Sequence, residues 1–321
     1  MNAKTSFTAA IRAERKQQRN AFSRQSSVSP ALKYGRWVVA ALAGLMGLPS
    51  FAAGLDTGNL AGYGIVSIGS GSSLTINSGP ITGNILVGDG STVSTSGGGS
   101  GQIVGSIYDD GSVPQSAFSH LQTPATSGQF QSVSKAYEDA AITSAKQLSD
   151  YAASLTANQT FTTTVSTAQT FTANSGVYVI DFTNIQNAVL TFKGNASTTF
   201  IVNVSGTFNT NKYMYLDGIS SSQLLFNFTA SSGNVFQTSG GDRLYGTYLA
   251  TNGADFQFSN LVLSGALWNT DGHIQFVSGS KMSSNPFRAI PAVPEPETYA
   301  MMLAGLGLMG IVIRRRKQRA Q

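Results

Sequence analysis

An apolar-x-Gly-x-apolar element that returns about every twenty residues limits this chain more than any other feature. Ile81-Thr82-Gly83-Asn84-Ile85-Leu86 comes back 22 residues later as Ile103-Val104-Gly105-Ser106-Ile107-Tyr108. Leu244-Tyr245-Gly246-Thr247-Tyr248-Leu249 comes back 19 residues later as Leu263-Ser264-Gly265-Ala266-Leu267-Trp268. Self-similarity at this period is what stacked coils require, each turn adding one strand to a continuous face. Glycine weakens an isolated strand and marks a bend or a close backbone approach. Hairpins of a β-sandwich would also accommodate the element. The regions around it alternate with period two. Tyr178, Ile180 and Phe182 interleave with Val177, Val179 and Asp181, and Phe200, Val202 and Val204 with Ile201, Asn203 and Ser205. Leu224, Phe226 and Phe228 do the same. Such alternation, bounded by Gly, Ser and Asn, predicts strands. The expected class is all-β dominated, a β-solenoid with one long amphipathic α-helix packed alongside.

That helix is expected at about 129–155. Phe130, Val133, Tyr137, Ala141, Leu148, Ala152 and Leu155 form a stripe at helical spacing. Lys135, Glu138, Asp139, Lys146 and Asp150 fall on the remaining, solvated positions, with Ser127 as N-cap and Asn158 as stop.

Both ends of the chain read as targeting segments rather than fold. Residues 1–52 form an extended signal peptide. Met1 to Arg36 carries eight Lys or Arg against Glu14, Trp37 to Leu48 is apolar, and small residues lead to a cut between Ala52 and Ala53. At the other end, 291–321 form a sorting tail. Val293-Pro294-Glu295-Pro296 precedes an apolar run from Tyr299 to Ile313, closed by Arg314-Arg315-Arg316-Lys317. As a helix that run would reach about 22 Å, short against a hydrocarbon core of roughly 30 Å. The basic cluster should remain cytoplasmic. The tail is thus a transmembrane helix suited to being held only transiently in a membrane.

Between them lies one domain, 53–290. The whole chain has a net charge of +5, but from Ala53 to Val293 seven basic residues face twelve acids, a net of −5. No basic stripe remains to neutralise phosphates, so no nucleic-acid partner is expected. Cysteine is absent. An exported body of this size must hold together by packing and backbone hydrogen bonds alone.

The residues offer little for catalysis. There is no thiol, and His120 and His273 are the only histidines, too far apart in sequence for paired-ligand spacing. The Gly-rich stretches lack the Lys-Ser/Thr of a phosphate loop. Asp109-Asp110-Gly111 is the densest acidic spot, but it lacks the alternate spacing of a calcium loop and reads as an Asp-Gly turn. No enzyme, cofactor or metal is expected. Asn158, Asn195, Asn203 and Asn227 begin Asn-x-Ser/Thr triplets that read as accidental. Thr160, Thr162 and Thr164 alternate, and Thr170 and Thr172 echo them. On a flat solenoid face these five would display hydroxyls and methyls in a row and form a candidate binding face. Exposed strand positions filled by a β-favouring residue would look the same. Tyr213, Tyr215, Tyr245, Tyr248 and Trp268 are either sugar-stacking or core aromatics.

The tail resembles, residue for residue, the PEP-CTERM sorting signal of Gram-negative bacteria. That resemblance implies processing by an exosortase at the inner membrane. The body resembles the choice-of-anchor A domain of bacterial surface proteins. The likeness rests on the glycine-punctuated strands, the single helix, Gly176-Val177-Tyr178, Thr199 to Val204, Leu225 to Phe228 and Gly246 to Ala250. The same order of elements is similar to the ice-binding β-solenoids. These resemblances imply an exported, non-catalytic cell-surface or extracellular-matrix protein, acting in adhesion, biofilm or exopolysaccharide association. An ice-binding protein is the alternative, and a carbohydrate-active enzyme a further one.

Overall fold

The computed structural model describes residues 56–96, 101–121, 125–277, 279–288, 305–307 and 309. One compact unit covers Gly54–Ala292. The expected signal-peptide cut at Ala52 and Ala53, the Val293–Pro296 segment and the Arg314–Lys317 cluster lie outside the described residues. So does the Tyr299–Ile313 run apart from 305–307 and 309. Among the described residues no helix is long and apolar enough to cross a membrane.

The described body is a β-solenoid of three parallel ladders. The first contains, in spatial order, Phe130–Ser132, Ile107–Asp109, Ile85–Gly88 and Ile65–Ile68. It continues through the C-terminal part of Val262–Thr270, that of Arg243–Ala250, then Leu224–Phe228, Thr198–Val204, Gly176–Gln186 and Gln159–Val165. The spatial order departs from the chain order. The first strands climb to one end, and helix α1 (Lys135–Ser154) carries the chain back. A second stack then grows from the far end until Leu267 and Trp268 register with Ile65 and Val66. Nine interstrand steps of about 4.8 Å span roughly 43 Å. The 20 residues of α1 supply about 30 Å of that return, and extended residues after it supply the rest.

α1 explains why the first ladder reads as continuous hydrophobic sequence. Ile65, Ile85, Ile180, Phe200, Val202 and Phe226 point into the solenoid. Val66, Ile68, Leu86, Val179, Ile201, Leu225, Leu249 and Trp268 point outward and are covered by Ala141, Ala145, Leu148 and Ala152 of the helix. A strand buried on both faces needs apolar residues at every position. The small alanines let helix and sheet approach closely. The interior holds a run of stacked rings, with Phe236 and Phe226 lying 4.2 and 4.7 Å from Tyr248. With no disulfide available, this packing and the ladder hydrogen bonds hold the body together.

The recurring glycines stand at one corner. Gly246 registers with Gly265, and Gly265 with Ser284. Gly83 packs against Ser284, and Gly105 against Gly83. At this corner the chain passes to the first ladder from the third, which holds Gln169–Thr172, Leu190–Lys193, Met214–Asp217, the starts of Arg243–Ala250 and Val262–Thr270, Lys281–Ser284, Ile81–Thr82 and Ile103–Val104. A Cβ on Gly265 would overlap the carbonyl oxygen of Gly246, so the column admits almost no side chains.

Four helical expectations are corrected. The helix begins at Lys135, not near 129, because Phe130–Ser132 pairs with Ile107–Asp109 as the end strand of the first ladder. Ladder pairing at this edge overrides the apolar periodicity. Ser134, not Ser127, is the N-cap, its Oγ accepting from the Tyr137 backbone N–H at 3.2 Å. Asn158 does not end the helix, which stops at Leu155. Instead its Oδ1 accepts from the Val179 N–H at 2.8 Å and anchors the end coil. Glu138 is fully buried rather than solvated.

Candidate functional site

With the middle of the first ladder covered by α1, the outward surfaces of the other two ladders are the main faces open to a ligand. The second ladder joins Thr92–Thr95, Ser73–Ile76, His273–Val277, Ala254–Ser259, Gly233–Thr238, Phe208–Thr210 and the end of Gly176–Gln186. Its strands alternate, with Leu74, Ile76, Phe256, Phe258, Ile274 and Phe276 facing inward. The outward positions line up across coils. Gln186, Asn209, Gln237, Gln257, Gln275, Thr75 and Ser94 are consecutive register partners. At about 4.8 Å per step the row is roughly 29 Å long. The Gln237 Nε2 donates to the Gln257 Oε1 at 3.4 Å, as stacked amides do in parallel ladders. Beside the row, Asn234 registers with Asp255, and Ser73 with both His273 and Thr92. The His273 backbone N–H donates to the Asp255 Oδ1 at 2.9 Å, and its ring Nε2 lies 3.0 Å from the Thr75 Oγ1. The face thus presents evenly spaced amide and hydroxyl groups.

The five threonines divide between two other faces. Thr160, Thr162 and Thr164 lie exposed on the terminal strand of the first ladder, beyond which no strand is paired among the described residues. Thr170 and Thr172 open the third ladder, where Thr170 registers with Thr191 and Tyr215, and Thr172 with Lys193 and Asp217. Lys193 and Asp217 pair at 3.2 Å. An open cleft of about 300 Å³ lies beside Thr160, Asp181 and Asn203. Tyr213 and Tyr215 are exposed, whereas Tyr248 and Trp268 are core. Asn203 and Asn227 are buried in a chain that runs Asp181–Asn203–Asn227 and ends on the Ala152 and Ser149 carbonyls of α1. In the folded protein they are therefore not accessible as glycan acceptors.

Sequence reasoning missed the amide row. Its signal is the apolar-Gln-apolar triplet, Phe256-Gln257-Phe258 and Ile274-Gln275-Phe276, which recurs at coil spacing with the polar residue facing outward.

Two acidic features lie apart from this face. Asp109 and Asp110 form the expected turn, accepting from the N–H groups of Gly111, Val113 and Ser112. Glu138 joins them, one carboxylate oxygen from each of the three lying within 4.8 Å of the others. Burial, then the charges of Asp110 and Asp109, push Glu138 up to about 8. Asp242 is also buried, with neither oxygen well hydrogen-bonded, and burial pushes it up to about 6. An unfolded aspartate ionises near about 3.9. Stability from Asp242 is therefore fully present below about pH 4, falls as pH rises to about 6, and is constant above that. The expected loss is about 2–3 kcal/mol. Asp242→Asn should remove this dependence and raise stability at pH 7, as urea unfolding at pH 4, 5, 6 and 7 will read.

The described residues thus form a helix-flanked parallel β-solenoid with a row of amide and hydroxyl side chains along an uncovered face. The chain belongs to the ice-binding-like adhesive domain family, whose profile matches residues 49–268. Residues 292–317 match the PEP-CTERM protein-sorting motif. The protein is therefore exported and sorted to the cell surface, and the motif implies an exosortase as its processing enzyme. No curated protein matches the sequence. An ice-binding protein from an Antarctic biological consortium has the same fold at 15% identity and a TM-score of 0.50, with 72% of this chain and 91% of that one aligned. Two others are similar. The ice-binding protein of Antarctomyces psychrotrophicus gives 16%, 0.48, and 72% and 98% coverage. An ice-binding protein domain of Shewanella frigidimarina gives 12%, 0.46, and 72% and 96%.

Proposed function

We propose that this is a non-catalytic adhesive protein that binds extended polymers, exopolysaccharide foremost, through the face carrying Gln237, Gln257 and Gln275, and so contributes to biofilm. The observation that carries this reading is the register of seven amide and hydroxyl side chains along one uncovered face. Amides both donate and accept, as a chain of sugar hydroxyls requires. Many weak, evenly spaced contacts give avidity without a deep pocket. We place signal cleavage between Ala52 and Ala53, and transient inner-membrane anchoring through the Tyr299–Ile313 run before exosortase processing in a Gram-negative cell. The domain limits 53–290 and 291–321, and the choice-of-anchor A likeness, belong to the same reading. Ice binding through Thr160, Thr162, Thr164, Thr170 and Thr172 draws less support, since these threonines do not share a face.

The test is co-sedimentation with insoluble exopolysaccharide from the producing cell. Gln257→Ala with Gln275→Ala should weaken binding about 10- to 30-fold at two lost hydrogen bonds of roughly 1 kcal/mol each. Thr162→Ala should leave it unchanged. Equal binding by the glutamine variant, or shortening of the polymer during incubation, would overturn the proposal.

A further inference from the structure

The start of α1 rests on the N-terminal stack through a group of three acids. Asp109 and Asp110 end the strand Ile107–Asp109 and begin the turn after it, and Glu138 lies in the first turns of the helix. Among the described residues the ion pairs are Lys135 with Asp89 and Asp139, and Lys193 with Asp217. None reaches these three carboxylates. Glu138 is fully enclosed, and neither of its oxygens has a hydrogen-bond partner. An unpartnered buried carboxylate beside two others is uphill as an anion unless something positive joins it. The backbone makes room for it, because a Cβ on Gly88 would overlap the Glu138 carboxylate.

We propose that Asp109, Asp110 and Glu138 hold a calcium ion that clamps α1 to the N-terminal stack. Hard carboxylate oxygens are the ligands Ca2+ takes, at about 2.3–2.6 Å. One ion at that distance bridges oxygens up to about 5 Å apart, and these lie within 4.8 Å of one another. Mg2+ needs about 2.1 Å and a stricter octahedron, a poorer match to three acids fixed on two elements. Water completes the shell on the side of Asp110, which is only partly buried. The site is separate from the amide face, so the two proposals stand or fall independently.

The test uses the full-length protein in detergent, stripped of cations by chelator. Tb3+ should show luminescence sensitised by Tyr108, which adjoins Asp109 and packs edge-to-face on Tyr63 at 5.2 Å, and Ca2+ should displace it. At a Ca2+ concentration of about 100 times the Kd, the thermal midpoint should rise by roughly 5–10 °C, with a smaller rise in Mg2+. Glu138→Gln should abolish both signals. Should that variant fail to fold, Asp110→Asn, at the wetter side of the cluster, should weaken Ca2+ binding at least tenfold. No Tb3+ signal and no Ca2+ shift in the unaltered protein would overturn the proposal. So would an equal Mg2+ shift, or an Asp110→Asn protein that binds as the unaltered one does.

Discussion

Trp268→Ala is expected to lower the unfolding free energy by about 3–5 kcal/mol. Trp268 is fully enclosed beneath α1, among Val66, Leu249 and Ala145 of the outer cluster. It lies in the strand where the second stack meets the first, registering with Val66 on one side and Leu249 on the other. Its Nε1 also donates to the Tyr63 carbonyl at 3.0 Å. Truncation would therefore open a cavity at the seam and leave that carbonyl without its partner. For a body of this length the thermal midpoint should fall by roughly 10–15 °C, followed by far-ultraviolet circular dichroism. Trp268→Phe keeps most of the volume and should cost much less. Similar losses in the two variants would show that the hydrogen bond, not the packing, is the dominant contribution.

Gly265→Ala should be nearly as damaging, although it adds one methyl group. The added Cβ would meet the Gly246 carbonyl oxygen, a backbone atom that cannot swing aside without disturbing its ladder hydrogen bonds. A loss of at least about 3 kcal/mol is expected, at the upper end of overpacking effects because the obstacle is backbone. Gly62→Ala is the comparison, since a Cβ there meets nothing within 4 Å. It should change stability by under about 0.5 kcal/mol. Urea midpoints of the two variants, measured side by side, check the corner geometry directly.

These two positions also show what the amino-acid sequence discloses. The corner glycines announce themselves because a local backbone requirement repeats at the coil period, and Gly83, Gly105, Gly246 and Gly265 all meet it. The inward rows of Phe and Ile are legible for the same reason. Stacking order is not legible. Nothing in Ile65–Ile68 says that its neighbours are 85–88 and 267–270, because parallel pairing is non-local and the side chains fit several neighbours equally well. The helix start is not legible, because Phe130 and Val133 suit helical spacing as well as an edge strand, and only the exposed edge at Ile107–Asp109 decides between them. The burial of Glu138 is not legible either, because charge at a helical position normally means exposure. The vacant side-chain position at Gly88 that admits its carboxylate lies 50 residues earlier in the chain. The alternating threonines are conspicuous in sequence but divide between two faces. Alignment across coils, which placed the glutamines together, is a property of the stack.

The order of the coils has a consequence for how the body is built. An ordinary solenoid can be assembled turn by turn from one end, and it can lose its last turns while the remainder stands. Here the strand at 65–68 carries apolar residues on both faces, and it waits for a partner about 200 residues further along. Until that partner arrives the middle of the object is a raw hydrophobic edge, the kind of surface that recruits other chains. Closure joins residues about 200 apart in the chain and so has a high contact order. Shortening the chain from its C-terminus would not trim a tip but would split the solenoid at its waist.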